Sequence, residues 1–139
     1  MAGLIVGTKY FQVETTVMGF SDSPPSELYD ANFVAHLTNQ IAALIESDVR
    51  VSPEELSIFY KYAGTGYAIP TIECAKMIKL MARTEGILLE PVYTAKTMVG
   101  LVDLITNGTL TKEDTVLFMH TGGLPGLFRE AQRIKQMLD

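Results

Sequence analysis

Short runs of β-forming residues alternate along this chain with segments whose apolar residues recur every three or four positions. A chain written this way sorts its strands and helices into layers, and a helix inserted between strands favours parallel pairing. The fold expected is therefore α/β, a partial three-layer parallel sheet with flanking helices. Residues 15–20 and 56–62 read as strands, and 115–119 as a wholly apolar strand of the kind found in the middle of a parallel sheet. Helices are expected over 3–13, from Ser21-Asp22-Ser23-Pro24-Pro25 to about Glu46, over 71–85 and 94–107, and from Pro125 onward.

The apolar spacing also predicts which faces are buried. In the second helix Val34, Leu37, Ile41 and Leu44 form one stripe. In the third, Cys74, Met77, Ile78 and Met81 share a face, and Gly86 is placed to end it. In the fourth, Met98, Leu101, Val102 and Ile105 fit the helical repeat, with Gly108 as the stop. Leu127, Ala131, Ile134 and Leu138 are expected inward in the last. Ser52 and Glu55 have the spacing of a capping box, followed by only a short turn of helix. There is no internal repeat, low-complexity tract or linker.

Composition narrows the function classes. With 139 residues, 47% hydrophobic and 19% charged, the chain can bury a core. A net charge of -5, with the 11 basic residues scattered, argues against a nucleic-acid partner. No apolar run approaches the length of a membrane span. Met1 to Tyr10 lacks a basic leader and a convincing cleavage site, and the single cysteine, Cys74, suits a reducing compartment. A cytoplasmic location is expected, with no membrane partner.

Chemistry in such a fold belongs in the loops beyond the strand ends. Two loops qualify: residues 64–70, rich in glycine and closed by Pro70, and His120-Thr121-Gly122-Gly123. The second suits an anion or a polar ring atom, or is simply a tight turn into a helix. Its glycine spacing fits neither a Walker loop nor a dinucleotide fingerprint. His36 reads as a solvated or boundary histidine; His120 is better placed but has no carboxylate near it in sequence. Cys74 reads as an inert core thiol. The pairs Glu54-Glu55 and Glu113-Asp114 are explained by helix-end electrostatics and turn solvation, and metal-ligand spacing is absent.

Three motifs occur in order: Gly66-Tyr67-Ala68-Ile69-Pro70, then Ala82-Arg83-Thr84-Glu85-Gly86-Ile87-Leu88-Leu89-Glu90-Pro91-Val92-Tyr93-Thr94-Ala95-Lys96, then His120-Thr121-Gly122-Gly123-Leu124-Pro125-Gly126-Leu127-Phe128. Together they resemble the C-terminal part of the D-cysteine desulfhydrase and 1-aminocyclopropane-1-carboxylate deaminase family, pyridoxal-phosphate enzymes of the tryptophan-synthase-β-like fold (fold type II). The likeness runs from residue 1 to about residue 130. It implies that residues 1–139 are the C-terminal part of the large cofactor-binding domain, with Met1-Ala2-Gly3-Leu4 opening the helix after the phosphate loop.

By this resemblance Tyr93 is similar to the active-site tyrosine beside the cofactor ring, and Tyr67 to a second tyrosine that reaches the substrate. Either can donate a hydrogen bond or, with a depressed pKa, accept a proton. Thr94 stands where the deaminase branch has a glutamate facing the pyridine nitrogen, and Thr121, beside Gly122, where the deaminase-like pattern has leucine. A hydroxyl draws less charge from the ring than a carboxylate does, which suffices when the leaving group is a thiolate. The resemblance thus implies D-cysteine desulfhydration, with deamination of the cyclopropane amino acid as the alternative. It also implies that the Schiff-base lysine, the serine- and asparagine-bearing stretch and the phosphate loop lie upstream of the matched region. None of the seven lysines has the Schiff-base context; Lys96, in a first helical turn, reads as solvated. The isolated chain is expected to hold pyridoxal phosphate weakly, to catalyse little and to form a homo-oligomer. A non-catalytic folded domain is the rival reading.

Overall fold

The computed structural model describes residues 1–26 and 30–139. The chain divides into two compact units: Met1–Gly19 with Pro25–Phe59, and Phe20–Pro24 with Tyr60–Asp139.

In the first unit, helix α1 (Ala2–Tyr10) packs on α2 (Ala31–Leu44). Strands β1 (Met18–Phe20) and β2 (Ser57–Phe59) form a two-stranded sheet, with α2 between them in sequence as the crossover of a parallel pair. The expected strands thus shrink to three residues each. The helix expected to start after Pro25 begins instead at Ala31, where the Asp30 carboxylate accepts the Phe33 N–H at 2.9 Å; residues 27–29 lie outside the described set. The α2 face that is buried is also not the expected stripe. Ala35, Thr38 and Ala42 are inside, while Leu37 is exposed and Leu44 is 84% exposed. Asn39 clamps the following segment, accepting the Val51 N–H at 2.9 Å and donating to its carbonyl at 3.0 Å. The Ser52 and Glu55 capping box forms on the 3-10 turn Pro53–Glu55, and Lys9 pairs with Glu55 at 2.8 Å.

The second unit holds α3 (Ile72–Thr84), α4 (Thr94–Thr106), α5 (Leu124–Arg129) and α6 (Ala131–Leu138). Its core is Cys74, Ala75, Met77, Ile78, Leu89, Ala95, Met98 and Ile134, with Met81, Phe118, Leu127 and Leu138 packed against it. The α3 face is as expected. Thr71 caps that helix by accepting the Cys74 N–H, and the Ile87 N–H wraps back to the Met81 carbonyl around Gly86 at φ +68°.

Three expectations fail in this unit. Residues 115–119 join no sheet among the described residues. A mid-sheet strand needs both faces covered, and here only Phe118 reaches the core while Leu117 is 83% exposed. On α4, Met98 is buried but Val102 and Ile105 are exposed. That helix is gripped on two sides: Ala95 and Met98 join the core, whereas Lys96, Gly100 and Leu104 are buried on another face, Gly100 against Phe20 and Tyr62. Finally, the last helix breaks at Glu130 into α5 and α6, and Ala131 is exposed. No described helix is long and apolar enough to cross a membrane.

These placements separate two substitutions. Ile134→Ala should lower stability by about 2–4 kcal/mol, whereas Leu44→Ala should change it by less than about 0.5 kcal/mol. Urea unfolding of the two variants against the parent checks both.

Candidate functional site

The segment 85–93 joins α3 to α4, and its centre is buried: Leu89, Glu90, Pro91 and Val92 have little or no exposure. A glutamate in that position must find partners. Its carboxylate accepts the N–H groups of Val92 at 2.8 Å, Tyr93 at 2.5 Å and Thr94 at 2.8 Å. These are donors left unpaired at the start of α4, where the helix field also favours negative charge. Glu90 therefore fixes the turn that presents Tyr93. The same side chain sits against the second loop: a Cβ on Gly123 would lie 2.6 Å from the Glu90 Cγ. Gly123 stands at φ +87° and Gly122 at φ +91°, a region glycine enters without penalty. His120 adds a second tie, its Nε2 3.0 Å from the Leu88 carbonyl and its Nδ1 accepting the Gly122 N–H at 3.2 Å. With Nδ1 an acceptor, neutral His120 carries its proton on Nε2 and donates it to Leu88.

The structure brings Tyr67 and Tyr93 together, with their hydroxyl oxygens 2.5 Å apart and their rings tilted by 54°. Both remain substantially open, Tyr67 at 59% and Tyr93 at 40% exposure. The hydrogen bond between Tyr93 and Tyr67 is the main reason that the Tyr93 pKa is pushed up to about 12, with burial and the nearby acids adding to it. Tyr93 is therefore a neutral phenol at ordinary pH, suited to donating a hydrogen bond. Two hydroxyls joined by one hydrogen bond keep one O–H proton free for a third partner.

The two threonines differ. Thr94 is buried, and its hydroxyl accepts the Glu90 N–H at 2.9 Å, closing the turn. Thr121 is exposed, beside Gly122, where an added Cβ would meet open space. The acidic pairs and His36 are exposed. Burial raises the Cys74 thiol pKa, as befits a core residue. No group of three or more possible metal ligands is found among the described residues.

Lys96 corrects the sequence reading. It is 1% exposed, not solvated, and its ammonium donates to the carbonyls of Asp22, Ala63 and Gly66 at 2.7, 2.6 and 3.1 Å. Burial lowers its pKa, opposed by the Asp22 and Glu90 carboxylates. Glu90 and Lys96 were both missed as site residues. The signal for Glu90 was present: one acid inside the apolar run Ile87-Leu88-Leu89-Glu90-Pro91-Val92, just before a helix. Lys96 gave no such signal, because spacing along α4 does not show which loop covers it.

The profile of the pyridoxal-phosphate dependent enzymes matches residues 1–122. The chain belongs to that family. A Thermotoga maritima protein provisionally named a 1-aminocyclopropane-1-carboxylate deaminase is 35% identical over 134 residues, covering 96% of this chain and 41% of that one. A crystal structure described as an ACC deaminase homologue superposes with a TM-score of 0.87 at 31% identity, covering 98% of this chain and 40% of that one. The chain thus spans about two fifths of the length of these relatives. The family's cofactor in the complete enzyme is pyridoxal phosphate. The residues present fit the ring side of that group: two open phenols, an exposed hydroxyl at Thr121 and unobstructed backbone at Gly122. Lys96, committed to three carbonyls, is not the amine that would carry it.

Two measurements probe this geometry. Gly122→Ala and Gly123→Ala both place a Cβ at positive φ, at about 1–2 kcal/mol. Gly123→Ala should lose roughly 1–3 kcal/mol more, because it also displaces Glu90. Urea unfolding resolves the difference. In alkaline spectrophotometric titration, the Tyr93 phenol should ionise near pH 12. Tyr67→Phe should bring that step down toward about 10. By linkage, the stabilisation from this bond is present below the ordinary tyrosine pKa and is lost as pH rises through the folded-state value.

Proposed function

We propose that this chain forms the C-terminal part of the cofactor-binding domain of a pyridoxal-phosphate lyase that removes ammonia from a small amino acid. The observation that carries the reading is the Tyr67/Tyr93 hydroxyl pair, with Tyr93 on a turn fixed by Glu90, the side chain that also packs against Gly123. In the desulfhydrase reading, D-cysteine and water yield pyruvate, ammonia and hydrogen sulfide. Thr94 and Thr121 favour it, since neither brings a carboxylate to the ring. The names of the relatives favour the second reading, in which 1-aminocyclopropane-1-carboxylate and water give 2-oxobutanoate and ammonia.

Bound pyridoxal phosphate supplies an electron sink that weakens bonds at the substrate Cα. The chain's own residues orient and polarise. The phenol pair offers its one free O–H proton toward the substrate, and the raised Tyr93 pKa keeps Tyr93 a neutral phenol within the pair. In this reading Thr121 would offer its exposed hydroxyl to a ring atom, with open space at Gly122 for a flat group, while Thr94 closes the Glu90 turn that carries Tyr93. With the Schiff-base lysine and phosphate loop expected from elsewhere in the complete enzyme, this chain alone binds the cofactor weakly and turns over little.

The test uses a full-length protein containing this segment, loaded with pyridoxal phosphate and offered D-cysteine and the cyclopropane amino acid. Sulfide and pyruvate released in equal amounts from D-cysteine support the first reading, and 2-oxobutanoate as the main product supports the second. Tyr93→Phe should cut kcat by about a hundredfold or more, with the cofactor's visible absorbance retained. Unchanged turnover in that variant, or no turnover of either substrate by the parent, would sink the proposal.

A further inference from the structure

Lys96 is a charged side chain in a place where Met or Leu would fill space without desolvating a cation. What the charge achieves is visible in its partners. All three ammonium protons are used, and none goes to a carboxylate. The acceptors are backbone carbonyls from two separate stretches of chain, at Asp22 and in the loop that carries Ala63 and Gly66. Gly66 directly precedes Tyr67, and Lys96 lies one turn beyond Tyr93 on the same helix. Tyr67 is too exposed for packing to hold it, so the position of its hydroxyl depends on its backbone. The chain of contacts runs from α4 through the ammonium to the Gly66 carbonyl, then to Tyr67 and back to the Tyr93 hydroxyl.

We infer that Lys96 is a positioning residue for the phenol pair, a tethered cation that gathers three carbonyls and so sets the Tyr67 hydroxyl on that of Tyr93. The inference rests on reading the two tyrosines as site residues, but its test does not depend on turnover.

The protein is labelled with 13C at the tyrosine Cζ, and its NMR spectrum is read at pH 8, with signals assigned from Tyr-to-Phe variants. In the parent, the Tyr67 and Tyr93 signals should be displaced from that of Tyr10, which is exposed. In Lys96→Met both should move to the Tyr10 position. Tyr62, whose hydroxyl donates to Asp103 at 2.6 Å, should keep its own shift and report an intact fold. Lys96→Gln, which retains two N–H donors on a shorter arm, should give the same loss or an intermediate one. Unmoved Tyr67 and Tyr93 signals in a variant with a native Tyr62 signal would overturn the inference. So would a parent pair already at the Tyr10 position. Loss of the Tyr62 signal in both variants would make Lys96 a general fold residue and would also overturn it. A displaced pair in a parent enzyme without turnover would refute the proposed function and leave this inference standing.

Discussion

The arrangement around the candidate site depends on one buried carboxylate. Glu90 is fully enclosed and accepts three consecutive backbone N–H groups at the start of α4. Hydrogen bonds to a charged group contribute about 1.5–3 kcal/mol each, against a desolvation cost of several kcal/mol for the ion. The balance is favourable only while all three bonds are made together, which makes the turn rigid. Because Glu90 also fills the space beside Gly123, the turn and the glycine loop share one support.

Lys96 is the counterpart on the other side of α4. Both buried charges are neutralised mainly by the backbone, Glu90 by amide donors and Lys96 by carbonyl acceptors. The phenols above them can stay exposed and still be fixed in position. Their mutual hydrogen bond then selects a chemical role, since it keeps Tyr93 protonated and a donor rather than a base.

Much of this was readable in the residues. Thr71 and Gly86 bound α3 through local hydrogen bonds that a sequence states directly, and the Ser52 and Glu55 box is equally local. The motifs around Tyr67 and Tyr93 named two residues whose hydroxyls do meet. The failures share a cause. Leu44, Val102 and Ile105 obey a helical repeat but face outward, because which face is buried depends on the neighbour and not on the repeat. Residues 115–119 have the composition of a central strand, yet a strand exists only with a partner beside it, and none of the described residues pairs there. Lys96 was misread for the same reason: the loop that supplies its acceptors is about thirty residues away in sequence.

The most direct test of the account is amide hydrogen exchange on Glu90→Ala against the parent. If one carboxylate supports both loops, protection should fall at Val92, Tyr93 and Thr94 and at Gly126, whose N–H closes the Gly123 turn, while Ile78 in α3 stays protected. Unchanged protection at Val92, Tyr93 and Thr94 would contradict it, as would a loss confined to them with the glycine loop untouched.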